Sequence, residues 1–410
     1  MNGRADHELW LAGVFAVLAG LGWWRHSVPL ALVGVAGLLA ALLLYLWQKT
    51  CLDGVGYERS LSHDRATFGE EIAFEIEIVN DKLLPLTWLH IEDRFPRALT
   101  TRGGLVTDRS ERRRSLVTVL PMLPYQRVRR RVTIVCDRRG EHTFGPAEVR
   151  SGDPVGYRSR SRRVREELSL LVYPKVFVLE PPGIASRMPL GNQRSRALVG
   201  DPSRVVGVRE YRPGDPLRHV DWRATARGAG LLVREHEPTA SLRVAVFVDL
   251  HVPPTIPPST ASDLVEFVVA VAASVVADLA GRGVAVGLYS AATVHGREIA
   301  HAPSSAPSAL PETLELLARA SPYGRLSFAD VLAHAGGRLS RATSVAVIAA
   351  AFPPPTQLAL DELGRRGAVT TIWAASETVE APPPDGVGDV HLTARYTDDW
   401  HHRATLELAP

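Results

Sequence analysis

Two uncharged apolar runs open the chain, Leu9 to Trp24 and, after Arg25-His26-Ser27, Val28 to Trp47. The second run, of 20 residues, gives about 30 Å of helix, the thickness of a bilayer core, and the first, of 16, gives about 24 Å. Trp10, Trp23, Trp24, Tyr45 and Trp47 stand at the run ends, where aromatic rings collect at membrane surfaces. The short connection predicts an antiparallel hairpin with both ends on one side. Met1–Glu8 carries one Arg against Asp6 and Glu8, the wrong charge for a secretion signal. Arg4, Lys49, Arg59 and Arg65 flank that side, against Arg25 in the loop. The positive-inside rule therefore predicts a multi-pass inner-membrane protein with its soluble part in the cytoplasm.

From Cys51 to about Glu180 the period changes to two. Glu71 to Ile78 alternates polar and apolar, as a half-buried strand does. Val128, Val132, Ile134 and Cys136 share a parity that Arg130 breaks, so that strand is expected to enter its sheet near Arg130. Leu168 to Tyr173 reads as another strand. Turn signals at Asn80-Asp81, Arg138-Arg139-Gly140, Gly145-Pro146 and Ser151-Gly152-Asp153-Pro154 separate short strands, which predicts a small antiparallel β-sandwich. Beyond residue 240 strands alternate with helices. Leu242–Leu250, Val284–Tyr289, Val345–Ala350 and Val369–Trp373 read as strands; Ser262–Arg282, 311–320, 327–338 and Gln357–Arg366 read as helices. That alternation predicts a mostly parallel sheet with helices on both faces.

Charge changes this picture in one place. The chain carries 47 Lys and Arg against 44 Asp and Glu, a net +3, yet residues 94–165 hold 19 Arg, no Lys and 6 acidic residues, a net +13. Such a stretch, starting near a membrane span, predicts a basic surface drawn to anionic headgroups at about 1 kcal/mol per well-placed Arg. It lacks the zinc, ribonucleoprotein or recognition-helix patterns of a nucleic-acid reader, so no nucleic-acid partner is expected. Two cysteines exclude a disulfide framework and a four-cysteine zinc site. Cys51, beside the second run, could be acylated, although a lone juxtamembrane cysteine is more often unmodified, and Cys136 reads as a core residue.

The densest motif is Arg209 to Gly228. Pro213-Gly214 suits a tight turn, Asp215 an N-cap and Pro216 a first helical position. Leu217, Val220, Asp221 and Ala224 would then share a helix face, with Gly228 ending the helix and Arg223 and Arg227 near its negative end. Arg218 stands three and four residues from Asp221 and Trp222, spacings that allow an ion pair and a cation–π contact. The expected role is a capped, polar junction or a partner-binding surface.

The run Tyr211-Arg-Pro-Gly-Asp-Pro-Leu-Arg-His-Val-Asp-Trp-Arg-Ala-Thr-Ala-Arg227, followed by Leu232-Val-Arg-Glu235, resembles the signature of the domain-of-unknown-function 58 family. Asp137–Gly140, Gly145-Pro146, Gly152–Gly156 and Leu171–Lys175 are similar to landmarks of the same family, in order along the chain. The resemblance implies a membrane-anchored protein with a von Willebrand factor A-like C-terminal domain. It also implies a MoxR-type AAA+ ATPase as partner, since such proteins are often encoded beside one. The implied organisation is a hairpin over 1–50 (spans 9–24 and 28–47), a basic β-sandwich-like domain over 51–180, a signature segment and linker over 181–230 and the A-like domain over 231–410.

Metal-binding A domains place Asp-x-Ser-x-Ser after the first strand, because Mg²⁺ takes several oxygen ligands. Here the strand ends Asp249-Leu250-His251-Val252-Pro253. The Gly-Gly-Thr position is replaced by Gly324-Arg325-Leu326, and Ala351-Phe352-Pro353 stands where an acid is expected. Asp249 and His251 therefore mark a degenerate position, and no metal or other cofactor is expected. Proline clusters at 253–254, 257–258, 353–355 and 382–384 suggest a stiff docking rim. No nucleophile elbow, phosphate loop or His-Glu-x-x-His pattern is present, so no catalytic residue is assigned. The expected function is a non-enzymatic membrane scaffold or adaptor presenting the A-like domain to its partner in envelope assembly or protein maturation. The alternatives are a cell-envelope hydrolase and a basic nucleic-acid binder.

Overall fold

The computed structural model describes residues 3–102, 106–110, 113–154, 159–180, 205–211, 220–226, 230–236, 242–254, 256–340, 343–375 and 389–409. These fall into two compact units, Met1–Val172 and Tyr173–Pro410.

In the first unit, α1 (Gly3–Trp24) and α2 (Val28–Thr50) pair as the predicted hairpin. Small residues bring the helices together: a Cβ on Gly34 would collide with the backbone of Ala19. Trp23 and Trp24 are exposed at the hairpin turn. Val28–Thr50 and a later helix, Pro258–Gly281, are both long and apolar enough to cross a membrane, but burial separates them. The former is 6% buried and the latter 67%, which makes the latter the core helix of the second unit.

Twelve strands follow: β1 (Val55–Leu61), β2 (Arg65–Ala66), β3 (Glu71–Asn80), β4 (Leu86–Phe95), β5 (Thr100–Arg102), β6 (Val106–Ser110), β7 (Arg113–Met122), β8 (Arg127–Val135), β9 (Gly140–Phe144), β10 (Ala147–Gly152), β11 (Ser159–Val164) and β12 (Leu168–Val172). They form sheets β1-β3-β8-β5, β11-β10-β4-β7-β6 and β2-β12-β9. All pairings are antiparallel except the short β2–β12 contact. Ile72, Phe74, Ile76 and Ile78 of β3 face one core with Val132, Ile134 and Cys136, as their parity requires. Phe74, Phe95 and Phe144 pack ring on ring there.

Three readings change. β8 is paired along its whole length, Arg127 lying opposite Val79, so Arg130 marks where the core face opens to solvent rather than where the strand enters. Part of the basic stretch is also neutralised by exposed ion pairs. Arg127 and Arg129 pair with Glu77, Arg131 with Glu75, and Arg102 with Glu71, acids that precede the basic stretch in sequence. Cys51 is fully buried, its thiol against the Gln48 carbonyl, which withdraws it from acylation.

The second unit contains β13 (Val178–Glu180), β14 (Val205–Glu210), α3 (Trp222–Thr225), β15 (Leu232–His236), β16 (Arg243–Val248), α4 (Pro258–Gly281), β17 (Ala285–Val294), β18 (Arg297–Ser304), α5 (Ala309–Arg319), α6 (Phe328–Arg338), β19 (Thr343–Ala349), α7 (Pro354–Gly364), β20 (Val369–Ala375), β21 (Val390–Arg395) and β22 (Thr405–Ala409). The main sheet runs β13-β22-β21-β20-β19-β16-β17-β18. Its five central strands are parallel, and antiparallel pairs β17–β18 and β21–β22 close the sides. Val244, Val246 and Val248 pack under α4 and α5, while Ala245 and Phe247 pack under α6 and α7, so β16 is apolar on both faces as a central parallel strand must be. The sequence reading ended the β region at 180. The strand Val178–Glu180 instead pairs in parallel with β22 at the edge of the main sheet, and its residue Leu179 joins that core.

Candidate functional site

The carboxyl ends of the parallel strands form the rim where open α/β sheets bind ligands. Asp249 sits there, one residue past β16, with its N–H donating to the Ile348 carbonyl at 2.9 Å. Its Oδ1 accepts the His251 N–H at 2.9 Å. Ser290, buried on β17, donates to the Val248 carbonyl at 2.6 Å. Burial pushes the Asp249 carboxyl up to about 6, against the opposing pull of the His251 N–H and the His251 charge. The neighbours Leu250, Ala350, Ala351 and Phe352 are apolar and buried. Among the described residues no three His, Cys, Asp or Glu side chains converge in metal-binding geometry. The donor set does not fit the several oxygens that Mg²⁺ requires. Gly324 lies against the Ala291 carbonyl, and Tyr323 beside it is exposed.

The rim prolines have a simpler office than docking. Pro257 and Pro353 are N-caps of α4 and α7, and Pro258 and Pro354 begin those helices, where a missing N–H costs nothing. Pro382–Pro384 lie outside the described residues.

Of the signature residues, Pro213, Gly214, Asp215, Pro216, Arg218 and Arg227 lie outside the described residues. Tyr211, half-buried, donates its N–H to the Leu231 carbonyl at 2.8 Å, just beyond the antiparallel β14–β15 pair. The helix expected through Val220 and Asp221 begins only at Trp222. Val220 bridges Val233, and the Asp221 N–H donates to the Leu232 carbonyl at 2.9 Å, so their backbone is committed to β15. Asp221 thus stands at the head of the turn, its carbonyl accepting the Thr225 N–H, and Trp222 is 65% exposed.

A second polar cluster was missed in sequence. Asp263, in α4, accepts the Tyr396 hydroxyl at 2.6 Å and the Trp400 indole N–H at 3.0 Å on Oδ2, while His401 Nε2 lies 3.0 Å from Oδ1. Burial alone would raise the Asp263 carboxyl, but these hydrogen bonds and the His401 charge outweigh it and hold it below the usual range. Lys175 donates to the carbonyls of Trp400 and His401 at 3.2 and 2.5 Å. The cluster ties α4 to the segment after β21. Its one legible signal was the density of aromatic and His residues over Tyr396 to His402.

A family model described as "Protein of unknown function DUF58" matches residues 207–402, which takes in the signature, the rim and the Asp263 cluster. Among curated proteins, "Uncharacterized protein YeaD" of Bacillus subtilis (strain 168) is 25% identical over 284 residues. That alignment covers 66% of this chain and 62% of the relative, so the chain spans less than two thirds of that protein. Two solved structures are similar at low scores. A cohesin module from a Clostridium perfringens family 33 glycoside hydrolase has a TM-score of 0.20 at 12% identity, covering 29% of this chain and 96% of its own. The sporulation control protein Spo0M of Bacillus subtilis has 0.17 at 14%, covering 29% and 49%.

Proposed function

We propose that this chain is a non-enzymatic membrane scaffold that presents a von Willebrand A-like α/β unit to a protein partner of the MoxR-type AAA+ class. In this reading the hairpin lies in the inner membrane and both soluble units face the cytoplasm. Trp222 carries the proposal. An indole 65% exposed is held out from a turn whose preceding residues are bonded to β15 at two points. Tryptophan is enriched among the anchors of protein interfaces, because its indole buries a large apolar surface and carries a polar N–H. The rim adds support: Asp249 stands among alanine, leucine and phenylalanine rather than among converging polar groups. Membrane lipid is the second proposed partner, through α1, α2 and the basic residues beside them.

A photocrosslinking residue at Trp222, and another at the exposed Leu358 as control, tests the first partner in intact cells. Capture of an AAA+ ATPase from position 222 and not from 358 is the expected result. Identical captures at the two positions, or none at 222, would refute the reading.

A further inference from the structure

The end of the β unit from which α2 departs carries an apolar surface that neither core uses. β1 leaves α2 through Cys51–Gly54 and runs away from the span, and antiparallel β3 returns with Asn80 opposite Val55. The β3–β4 loop, residues 81–85, therefore lies beside the end of α2. β8 starts opposite Val79, which brings the β7–β8 loop, residues 123–126, to the same end. The loops are built as one platform. Asn80 is fully buried and donates through Nδ2 to the carbonyls of Leu84 and Leu123, at 3.1 and 2.9 Å. Tyr125 donates its N–H to the Lys82 carbonyl, and Gln126 Oε1 accepts the Leu123 N–H at 2.7 Å.

The outward tips of this platform are Leu83, Leu123 and Tyr125, at 75, 67 and 66% exposure. Tyr125 holds a left-handed backbone (φ 54°), a conformation disfavoured for a bulky residue. The depth of the platform is set by Lys82. Its ammonium donates to the Thr50 carbonyl at 2.9 Å, to that of Asp53 at 2.7 Å, and to that of Cys51. Thr50 is the last residue of α2 and lies three positions past Trp47, the end of the uncharged run. Those positions add about 4.5 Å of helix, so the loop stands at headgroup depth. Arg160, bonded to the Lys49 carbonyl and to Asp53, places another cation at the same level.

We propose that Leu83, Leu123 and Tyr125 enter the boundary between headgroups and acyl chains, so that the β unit is seated on the bilayer by its loops as well as tethered by α2. The occupant is a lipid surface: apolar tips with a tyrosine hydroxyl and cations just behind match its apolar-to-anionic gradient. The proposal rests on α2 being a membrane span, and the test separates the two ideas. Cys51 and Cys136 are both fully buried, so single cysteines added to the full chain can be labelled selectively. Leu123→Cys, Leu83→Cys, His63→Cys at the far end of β1, and Val33→Cys in α2 each receive an environment-sensitive fluorophore. The labelled chains are placed in vesicles of phosphatidylcholine and phosphatidylglycerol.

A blue shift and quenching by nitroxide lipids at 33, 83 and 123, deepest at 33 and absent at 63, is expected. Quenching at 33 with none at 83 and 123 would overturn the seating and leave the patch to water or a protein. No quenching at 33 would overturn the span itself, and the seating with it.

Discussion

Replacing Asp249 by Asn should stabilise the α/β unit, and by an amount that depends on pH. The carboxyl is 5% exposed and pushed up to about 6, from an ordinary 3.8, chiefly by burial. Below about pH 3.8 it is neutral in folded and unfolded chains alike, and it contributes no pH dependence there. Between 3.8 and 6 the unfolded chain releases the proton and the folded one keeps it, so stability falls as pH rises. Above pH 6 the loss is complete. At about 1.4 kcal/mol per decade of proton concentration, the gap amounts to about 3 kcal/mol. Asn keeps the acceptor for the His251 N–H without a charge to desolvate. The variant should match the wild type near pH 4 and exceed it by about 3 kcal/mol at pH 8. Hydrogen exchange of the β16 amides, corrected for intrinsic rates, reads the opening free energy of this strand in the full chain. An Asn variant equal to or less stable than the wild type at pH 8 would refute the reasoning. A confirmed gain would show that an acid is kept at the rim at a cost to stability.

The opposite sign is expected at Asp263, whose carboxyl is held below the usual range. Asp263→Asn should destabilise the unit at neutral pH, and the difference should vanish as the pH falls through the folded carboxyl's range, measured by thermal melting across pH. In the β unit, Asp93 pairs with Arg59 at 2.6 Å and accepts the Tyr57 hydroxyl at 2.7 Å, with both charged side chains 3% exposed. Asp93→Ala strands that guanidinium and should cost about 3–5 kcal/mol, read as lost protection in β3 and β4 with α/β amides unchanged.

Elements with a strong local period are legible in the sequence alone. The alternation of Glu71–Ile78 and the buried runs of β16, β19 and β20 need only their own residues to be recognised. What escaped depends on distant partners. β13 has three residues and exists because β22 supplies its ladder. The Asp263 cluster joins positions more than 130 apart, with no spacing to betray it. The turn at Asp221 has helical composition, yet its backbone bonds are taken by β15. Arg130 misled because parity reports a face, and the face of β8 is buried over only part of its length. Gly145, inside a landmark, has a φ of 96°, and a Cβ there would meet the Arg59 guanidinium at 2.5 Å. Its glycine thus belongs to a buried charge pair that no local motif announces.

The pairing of Val178 with Thr405 has a consequence for how the chain is made. The two residues are separated by 227 positions, and at about 5–20 residues per second the ribosome needs roughly 11–45 s to supply the second. Throughout that interval the β13 segment has been synthesised but has no ladder to join. β13, the first strand of this sheet in sequence, can therefore join its ladder only after β22 has been made. Leu179 can pack on α4 well before then, since the neighbouring Phe177 N–H donates to Ser274 of that helix, but the ladder edge of β13 stays open until β22 arrives.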